Sequence, residues 1–377
     1  MPDWKAFFLN HLGAWARMVN RHFGYFSPNF SYTCSPCRPL FPCYWLRLAI
    51  FVTVSSSMRV RVFFHDKCFD GAASAAVFSR FYQARINSQA RFEYTGLAHR
   101  ASQLFDEDKF DGEENAIVDF KYTASPKLTW WFDHHQSAFL SPADQQHFLA
   151  DRGGRKFFDP SFKSCTKFIA TVAKEKFGFS APDLDDLIKW ADIVDGAQYA
   201  DAATAVRMEA PATKLTLVIE ASKDDGLLAR LIPMMGSMSL ASIVEDPGIQ
   251  ALFRPLYERH VQSIDVIRKR ASCSNGVISF DLSDLDMEGY SKFIPYDLFP
   301  EGVYNVSVST ASYRTKISVG SNPWNTRPKM HNLATICESY GGGGHPRVGA
   351  ISFEAGAVEK ARAAAKEIVA LLKTEPE

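Results

Sequence analysis

The sequence lacks a charge excess of either sign: 42 Lys+Arg residues balance 42 Asp+Glu, and the formal net charge is zero. That balance argues against a generic polyanion-coating protein, whose affinity comes from surplus basic charge, although a local basic groove stays compatible with it. Long apolar runs are also missing. The longest, "LAIFVTV" at 48–54, falls far short of the roughly 20 residues that span a bilayer, and it lies too far in for a typical signal peptide. The seven cysteines are an odd set with no framework spacing beyond Cys34, Cys37 and Cys43. A reducing cytoplasm therefore suits the chain better than secretion. No concentrated Lys/Arg tract appears either, which argues against the long basic channel of a processive single-strand nuclease.

What is present is an ordinary globular composition, 46% hydrophobic and 22% charged over 377 residues, enough for two domains. Residues 1–57 read differently from the rest. They mix Phe, Trp, Tyr, Arg, Pro and Cys without helical or strand periodicity. They are expected to be an atypical extension, disordered or an upstream translation, with Met58 as the natural start. A zinc site at Cys34 and Cys37 would need a second ligand pair, which Cys43 and His22 supply poorly.

From Met58 the pattern alternates strand and helix. "RVRVFF" (59–64), "NAIVDF" (115–120) and "KLTWWFDHH" (127–135) read as strands, and 72–86, 163–177 and 183–198 as helices. Such alternation predicts an α/β fold with a doubly wound, mostly parallel sheet. Residues 213–271 read as helices broken at Pro233, Gly236, Pro247 and Pro255. Strands return from 276, followed by a last helix. The expected organisation is a catalytic domain over 58–205, a helical connector over 206–272, and a smaller α+β domain over 273–377.

In open α/β sheets, ligands bind outside the carboxyl ends of the strands. Three polar clusters fall there: His65, Asp66 and Asp70 after the first strand, Asp119 after "AIV", and Asp133, His134 and His135 after "WWF". A fourth, Asp192 with Asp195, shares one helix face because residues three apart are neighbours. Each has a bland explanation taken alone. Asp70 can cap a helix, Asp119 can serve a turn, the two histidines can be a satisfied buried pair, and the helix aspartates can be solvated. Their joint occurrence at successive strand ends favours a shared task. Carboxylates with imidazoles suit manganese, iron, cobalt or zinc better than calcium. Paired cations would acidify a water and neutralise phosphate oxygens.

"SYGGGGHPRVGAISF" (339–353) is the second signal. Consecutive glycines can expose backbone N–H groups to an anion, and His345 and Arg347 add side-chain donors. The plain alternative is a hairpin loop. Arg314 and Asn322, in "RTKISVGSNPW" (314–324), are assigned to the same wall, with simple surface exposure as the alternative for both.

The ordered set "HDKCFDG" (65–71), "VD" (118–119), "DHH" (133–135) and "GGGGHP" (341–346) resembles the DHH phosphoesterase superfamily, a DHH domain followed by a DHH-associated C-terminal domain. The similarity runs from about 58 to 355. That family includes RecJ-type exonucleases, oligoribonucleases, cyclic dinucleotide phosphodiesterases, pyrophosphatases and exopolyphosphatases. The resemblance implies metal ligation by His65, Asp70, Asp119 and His134, with Asp66 as an additional ligand. Asp192 is the fourth-motif aspartate and Asp195 its reserve. It implies His135 as the polar partner of the scissile phosphate and Asp133 as its orienting neighbour. It further implies substrate contacts from Gly341, Gly342, Gly343, Gly344, His345 and Arg347, which Arg314 and Asn322 extend.

One departure stands out. Where many members have the first of two aspartates, this chain has Cys68, as in the exopolyphosphatase-like branch. A thiolate suits softer ions than manganese, so occupancy of both metal sites is in question.

The expectation is a cytoplasmic hydrolase with two Mn2+ ions, or Mg2+ or Co2+ in their place. It would act on a small phosphate compound or short oligonucleotide, without a membrane partner, and is open to homodimerisation. The rivals are a catalytically weakened nucleotide-binding regulator of the same fold and a RecJ-type exonuclease.

Overall fold

The computed structural model describes residues 57–98, 105–285, 287 and 289–376. The expected N-terminal extension, with Cys34, Cys37, Cys43 and His22, lies outside the described residues.

Strands β1 (Arg59–His65), β2 (Arg91–Leu97), β3 (Glu114–Val118), β4 (Trp130–Asp133) and β5 (Lys156–Phe158) form an all-parallel sheet in the order β2-β1-β3-β4-β5. Helices α1 (Phe69–Arg85), α2 (Pro142–Ala150), α3 (Cys165–Phe177) and α4 (Asp185–Asp195) accompany it. Side-chain alternation explains the two-sided burial. Val60, Val62 and Phe64, with Ala116, Val118, Trp130 and Phe132, join the core under α1, α3 and α4. Phe63, Ile117 and Trp131 point to the opposite face, against Phe110, Tyr122 and Ala138. Strands buried on both faces read as nearly continuous apolar runs, as β3 and β4 do, whereas β1 begins with the half-buried Arg59 and Arg61. β2 and β5 are not legible in the sequence pattern; both lie at sheet edges and carry polar or half-buried residues.

The first crossover runs from β1 to β2 on one side, and β3 then pairs on the other side of β1. The sheet therefore has its switch point between β1 and β3, where a crevice opens at the carboxyl ends. Register aligns the site there. Phe64 pairs with Val118 and Val118 with Phe132, which sets His65, Asp119 and Asp133 side by side.

A helical stretch follows: α5 (Ala202–Val206), α6 (Pro211–Ala221), α7 (Leu227–Met235), α8 (Leu240–Val244) and α9 (Pro247–Arg270). The expected breaks at Pro233 and Pro255 do not occur, because both lie inside helices. Both prolines are exposed, so the carbonyl each deprives of a partner can bond to water. Pro247 instead opens α9, behind an Asp246 cap that accepts from Gly248 and Ile249 N–H.

Strands β6 (Ser272–Ser274), β7 (Val277–Asp281), β8 (Tyr304–Ala311), β9 (Arg314–Ser321), β10 (Gly343–His345) and β11 (Val348–Phe353) form the second, mixed sheet in the order β10-β11-β9-β8-β7-β6. Helix α10 (Ile294–Leu298) precedes β8, α11 (Leu333–Glu338) precedes β10, and α12 (Val358–Leu372) follows β11. Val306, Val308, Ile317, Val319 and Ile351 pack under α11 and α12. Ile278 and Phe280 pack with Ala202, Val206 and Ile267 of the helical stretch, and the Trp324 indole N–H donates to the Tyr199 carbonyl at 2.7 Å. The second sheet is thereby joined to the helices beside the first.

Candidate metal centre

Asp119 is the centre of the site. It takes a left-handed backbone conformation, φ 57°, which ends β3 one residue early and turns its carboxylate inward. Aspartate tolerates that conformation better than most residues. The turn is pinned on both sides: Asp119 N–H donates to the Phe132 carbonyl at 2.9 Å, and the buried Trp131 indole donates to the Phe120 carbonyl at 2.9 Å. Asp119 is buried, yet neither of its carboxylate oxygens has a hydrogen-bond partner. Its Oδ2 lies 3.6 Å from His65 Nδ1, and its Oδ1 lies 3.4 Å from His134 Nε2.

His134 follows β4. Its Nδ1 lies 3.1 Å from the Phe162 carbonyl, a contact that places the proton on Nδ1 and leaves Nε2 facing the carboxylates. That Nε2 is 3.4 Å from Asp119, 3.5 Å from Asp195 and 3.8 Å from Asp70, but hydrogen-bonded to none of them. Asp70 sits fully buried in the first turn of α1. Its oxygens accept from the Cys165 and Thr166 N–H groups at 2.7 and 3.0 Å. Those donors are first-turn amides of α3, which otherwise lack partners and favour an anion.

Asp133 and His135 form a second, better satisfied unit. Asp133 Oδ1 accepts from the backbone N–H of both His134 and His135, and lies 2.7 Å from His135 Nδ1. The His135 ring is held with Nδ1 toward Asp133, while its side chain remains 35% exposed.

The electrostatics match a site short of positive charge. Burial, then the Asp119 and Asp195 carboxylates, push the Asp70 carboxyl well above its usual range. Burial and Asp119 raise Asp195 to about 6. Burial opposes protonation of His134, but Asp119, Asp70 and Asp195 outweigh it and raise the imidazole to about 10. Burial would raise Asp119 as well, but the His134 and His65 imidazoles prevail and lower it. Asp119, Asp195 and Asp70 all lie within 4 Å of the His134 Nε2, a concentration of negative charge that favours a cation. Buried oxygens that accept no hydrogen bond, an imidazole nitrogen aimed at them and nearby carboxylates all fit a divalent-cation centre.

Three groups of donors lie close enough to share an ion: His65, Cys68 and Asp119; Asp119, His134 and His135; and Asp70, His134 and Asp195. The structure thus gathers His65, Asp70, Asp119, Asp133, His134, His135 and Asp195, and leaves two expected ligands aside. Asp66 accepts from the Lys67 N–H and packs by Gly96 of β2; its backbone N–H is tied to the Leu97 carbonyl, which turns it toward the sheet edge. Asp192 accepts from Ser164 Oγ at 3.1 Å and joins none of the three groups. Asp195, one turn further along α4, reaches His134 instead. The sequence reading passes over Ser164, Thr166 and the Phe162 carbonyl, which orient the ligands. The "KSCT" run before a helix is their only trace.

The second-sheet residues differ from expectation. The Gly341 and Gly342 N–H groups donate to Glu338 and Cys337 carbonyls, ending α11, with Gly341 at φ 77°. Gly343 and Gly344 pair with Ala350 and Gly349 in the β10–β11 ladder. A Cβ on Gly342 would lie 2.2 Å from the Ala350 carbonyl oxygen, so close backbone approach explains that glycine. The expected anion cradle of four free amides is therefore not formed. Asn322 is buried and its amide is spent, donating to the Gly302 carbonyl at 2.8 Å and accepting from Trp324 N–H at 3.0 Å. Arg347 donates to the Asn322 carbonyl, while His345 is exposed. Arg314 opens β9, whereas His345 is level with Val348, which pairs with Gly320 near the far end of that strand. Six residues of strand place them about 20 Å apart at about 3.3 Å each, too far to share one phosphate.

A cavity of about 720 Å³ is lined by Val194, the chain neighbour of Asp195, by Tyr199, by the cations Lys223, Arg259 and Lys292, and by Glu220; none of the side chains of the centre lines it. Among the described residues, no helix is long and apolar enough to cross a membrane.

No protein-family model and no curated protein matches the sequence. Its fold is nonetheless shared with solved structures. The pGpG-specific phosphodiesterase PggH from Vibrio cholerae superposes with a TM-score of 0.61 at 16% identity, over 84% of this chain and 99% of that one. RecJ from Thermus thermophilus, in complex with Mn2+, superposes with a TM-score of 0.50 at 14% identity, over 85% of this chain and 53% of that one. Both are DHH superfamily proteins. The five-stranded parallel sheet with a separate mixed sheet is the DHH-type arrangement of N-terminal and C-terminal domains.

Proposed function

We propose that this chain, built on the DHH-type fold, is a metal-dependent phosphoesterase that hydrolyses a phosphodiester or phosphoanhydride bond in a small or short substrate. The observation that supports this most is the buried, unpartnered Asp119 carboxylate, whose two oxygens face two different imidazoles. In this reading His65, Asp70, Asp119, His134 and Asp195 would hold the divalent cations, with Asp119 common to the donor groups of His65 and of His134. Bound divalent ions, manganese first with magnesium or cobalt as alternatives, would neutralise phosphate oxygens and acidify a water.

The protein's own groups do the rest. Asp133 holds a proton on His135 Nδ1 and orients the ring. The remaining ring nitrogen is then available to a phosphate oxygen or, when protonated, to the departing alkoxide. The α3 amides keep Asp70 fixed in its buried position. Lys223, Arg259 and Lys292, in the cavity that Val194 also lines, offer charge to a phosphate tail, and exposed His345 contributes from β10. A net charge of zero without a Lys/Arg tract favours short substrates over long strands, in keeping with the pGpG specificity of the Vibrio cholerae neighbour. Cytoplasmic residence accords with the four described cysteines, all unpaired thiols.

The test is a screen of purified protein with Mn2+ against pyrophosphate, polyphosphate, short oligonucleotides, adenosine bisphosphate, and cyclic dinucleotides. Metal-dependent hydrolysis of one short substrate, abolished by chelator, is the expected result. Nucleotide binding without turnover at stoichiometric metal would replace this reading with that of a regulatory module.

A further inference from the structure

The two halves of the centre do not offer the same chemistry. Asp70, His134 and Asp195 present only oxygen and nitrogen. His65, Cys68 and Asp119 add a sulfur, with their donor atoms within 4.8 Å of one another. Cys68 stands at the N-cap of α1, a position where Ser, Thr, Asp or Asn normally accepts a first-turn N–H. Its side chain makes no such bond. Nor does it behave as a small apolar filler. Its Sγ lies within 4.8 Å of a carboxylate oxygen of Asp119 and a ring nitrogen of His65. The second observation is Asp119 itself, 1% exposed, whose Oδ2 accepts no hydrogen bond and has the His65 Nδ1 at 3.6 Å. A neutral thiol gives that oxygen at most a weak donor. A cation bound between the three groups would give Asp119 Oδ2 and the Cys68 sulfur a shared ligand bond.

We propose that the His65–Cys68–Asp119 half of the centre binds a thiophilic divalent cation of the zinc, cobalt or ferrous class through the Cys68 thiolate, leaving the oxygen-rich half to manganese or magnesium. This rests on the two-cation reading given above and deepens it by assigning unlike ions to the two halves. Imidazole with carboxylate accepts either class of ion, so the sulfur decides the selection. On binding, the Sγ–metal bond forms and the thiol proton passes to solvent, so no oxidant or reductant is involved. Cys165, the other thiol near the centre, is engaged elsewhere: its Sγ lies 3.4 Å from the Phe132 carbonyl.

Cobalt alone serves as the probe. The full chain, stripped with chelator, is titrated with Co2+ while absorption is recorded. Visible ligand-field bands report any bound cobalt, and a near-ultraviolet thiolate-to-cobalt charge-transfer band reports sulfur ligation. The proposal expects both in the unmodified protein. Cys68→Ser should lose the near-ultraviolet band and weaken one of the two cobalt sites at least about tenfold, while Cys165→Ala keeps the band. Cys68→Asp, which retains a ligand and so guards against a folding defect, should lose the band and shift the manganese-to-zinc affinity ratio by at least about tenfold toward manganese. Visible bands without the charge-transfer band, or a band that survives both Cys68 substitutions, would overturn the sulfur ligand while leaving the metal centre standing. Absence of any bound cobalt would overturn the metal centre and this inference together.

Discussion

Asp119 offers the sharpest handle on the centre, because its backbone and its charge can be tested separately. Asp119→Asn keeps the size of the side chain and its tolerance of the left-handed conformation, φ 57°. Neither carboxylate oxygen accepts a hydrogen bond, so the variant loses none of the bonds worth about 0.5–1.5 kcal/mol each. The attraction to His65 and His134 that holds Asp119 ionised is lost, so in chelator the variant should be less stable than the parent, and the informative quantity is the gain each protein makes on adding cation. Asp119→Ala is a poorer probe, since an alanine in that conformation costs about 1–2 kcal/mol for reasons unrelated to metal. Added cation separates the cases. At a hundredfold excess over Kd, one bound ion stabilises the parent by about 2.7 kcal/mol, and Asp119→Asn should gain almost nothing. Urea unfolding with chelator and with Mn2+, followed by circular dichroism, reads all four conditions. An Asp119→Asn protein that gains the full manganese stabilisation would refute the bridging role.

Three further outcomes follow from the geometry. Asp195→Asn should weaken manganese binding at least about tenfold by calorimetry, or about 1.4 kcal/mol, whereas Asp192→Asn should leave it nearly unchanged; the reverse order would restore Asp192 as the ligand. His345→Ala should act mainly through KM, raising it several-fold with kcat preserved, if its contact is equally good in ground and transition states. Metal binding should release protons, because the metal-free centre raises His134 to about 10 and Asp195 to about 6. Calorimetry in two buffers of different ionisation enthalpy measures that release, and apparent affinity should rise with pH across that interval.

The central strands β1, β3 and β4 of the first sheet are legible in the sequence because they carry apolar residues to buried faces and then stop at a charged or imidazole residue, whereas the edge strands β2 and β5 are not. His65, Asp119 and Asp133 can be read as strand-end residues from that pattern alone. Which helix aspartate reaches the centre cannot. Asp192 and Asp195 share a face of α4, and only the height of the helix against the sheet edge decides that Asp195 meets His134. Asp66 misleads in a related way: adjacent to His65, it turns toward β2. The glycine run reads as an anion cradle because nothing local announces that α11 ends there and claims two of the amides. Arg314 and Asn322 are joined to it by proximity in the chain, whereas strand β9 carries Arg314 to the far end of the sheet. Pro233 and Pro255 fail as helix breakers because their exposed positions leave the affected carbonyls to water.

The central claim is that Asp119 lies between two divalent cations. Crystals grown with Mn2+ and measured at its absorption edge would locate them by anomalous scattering. The account predicts manganese density on the His134 side of the Asp119 carboxylate and a second cation, manganese or another, on the His65 side. Ordered density for the Asp119 side chain with no anomalous peak within coordination distance of either oxygen would contradict it.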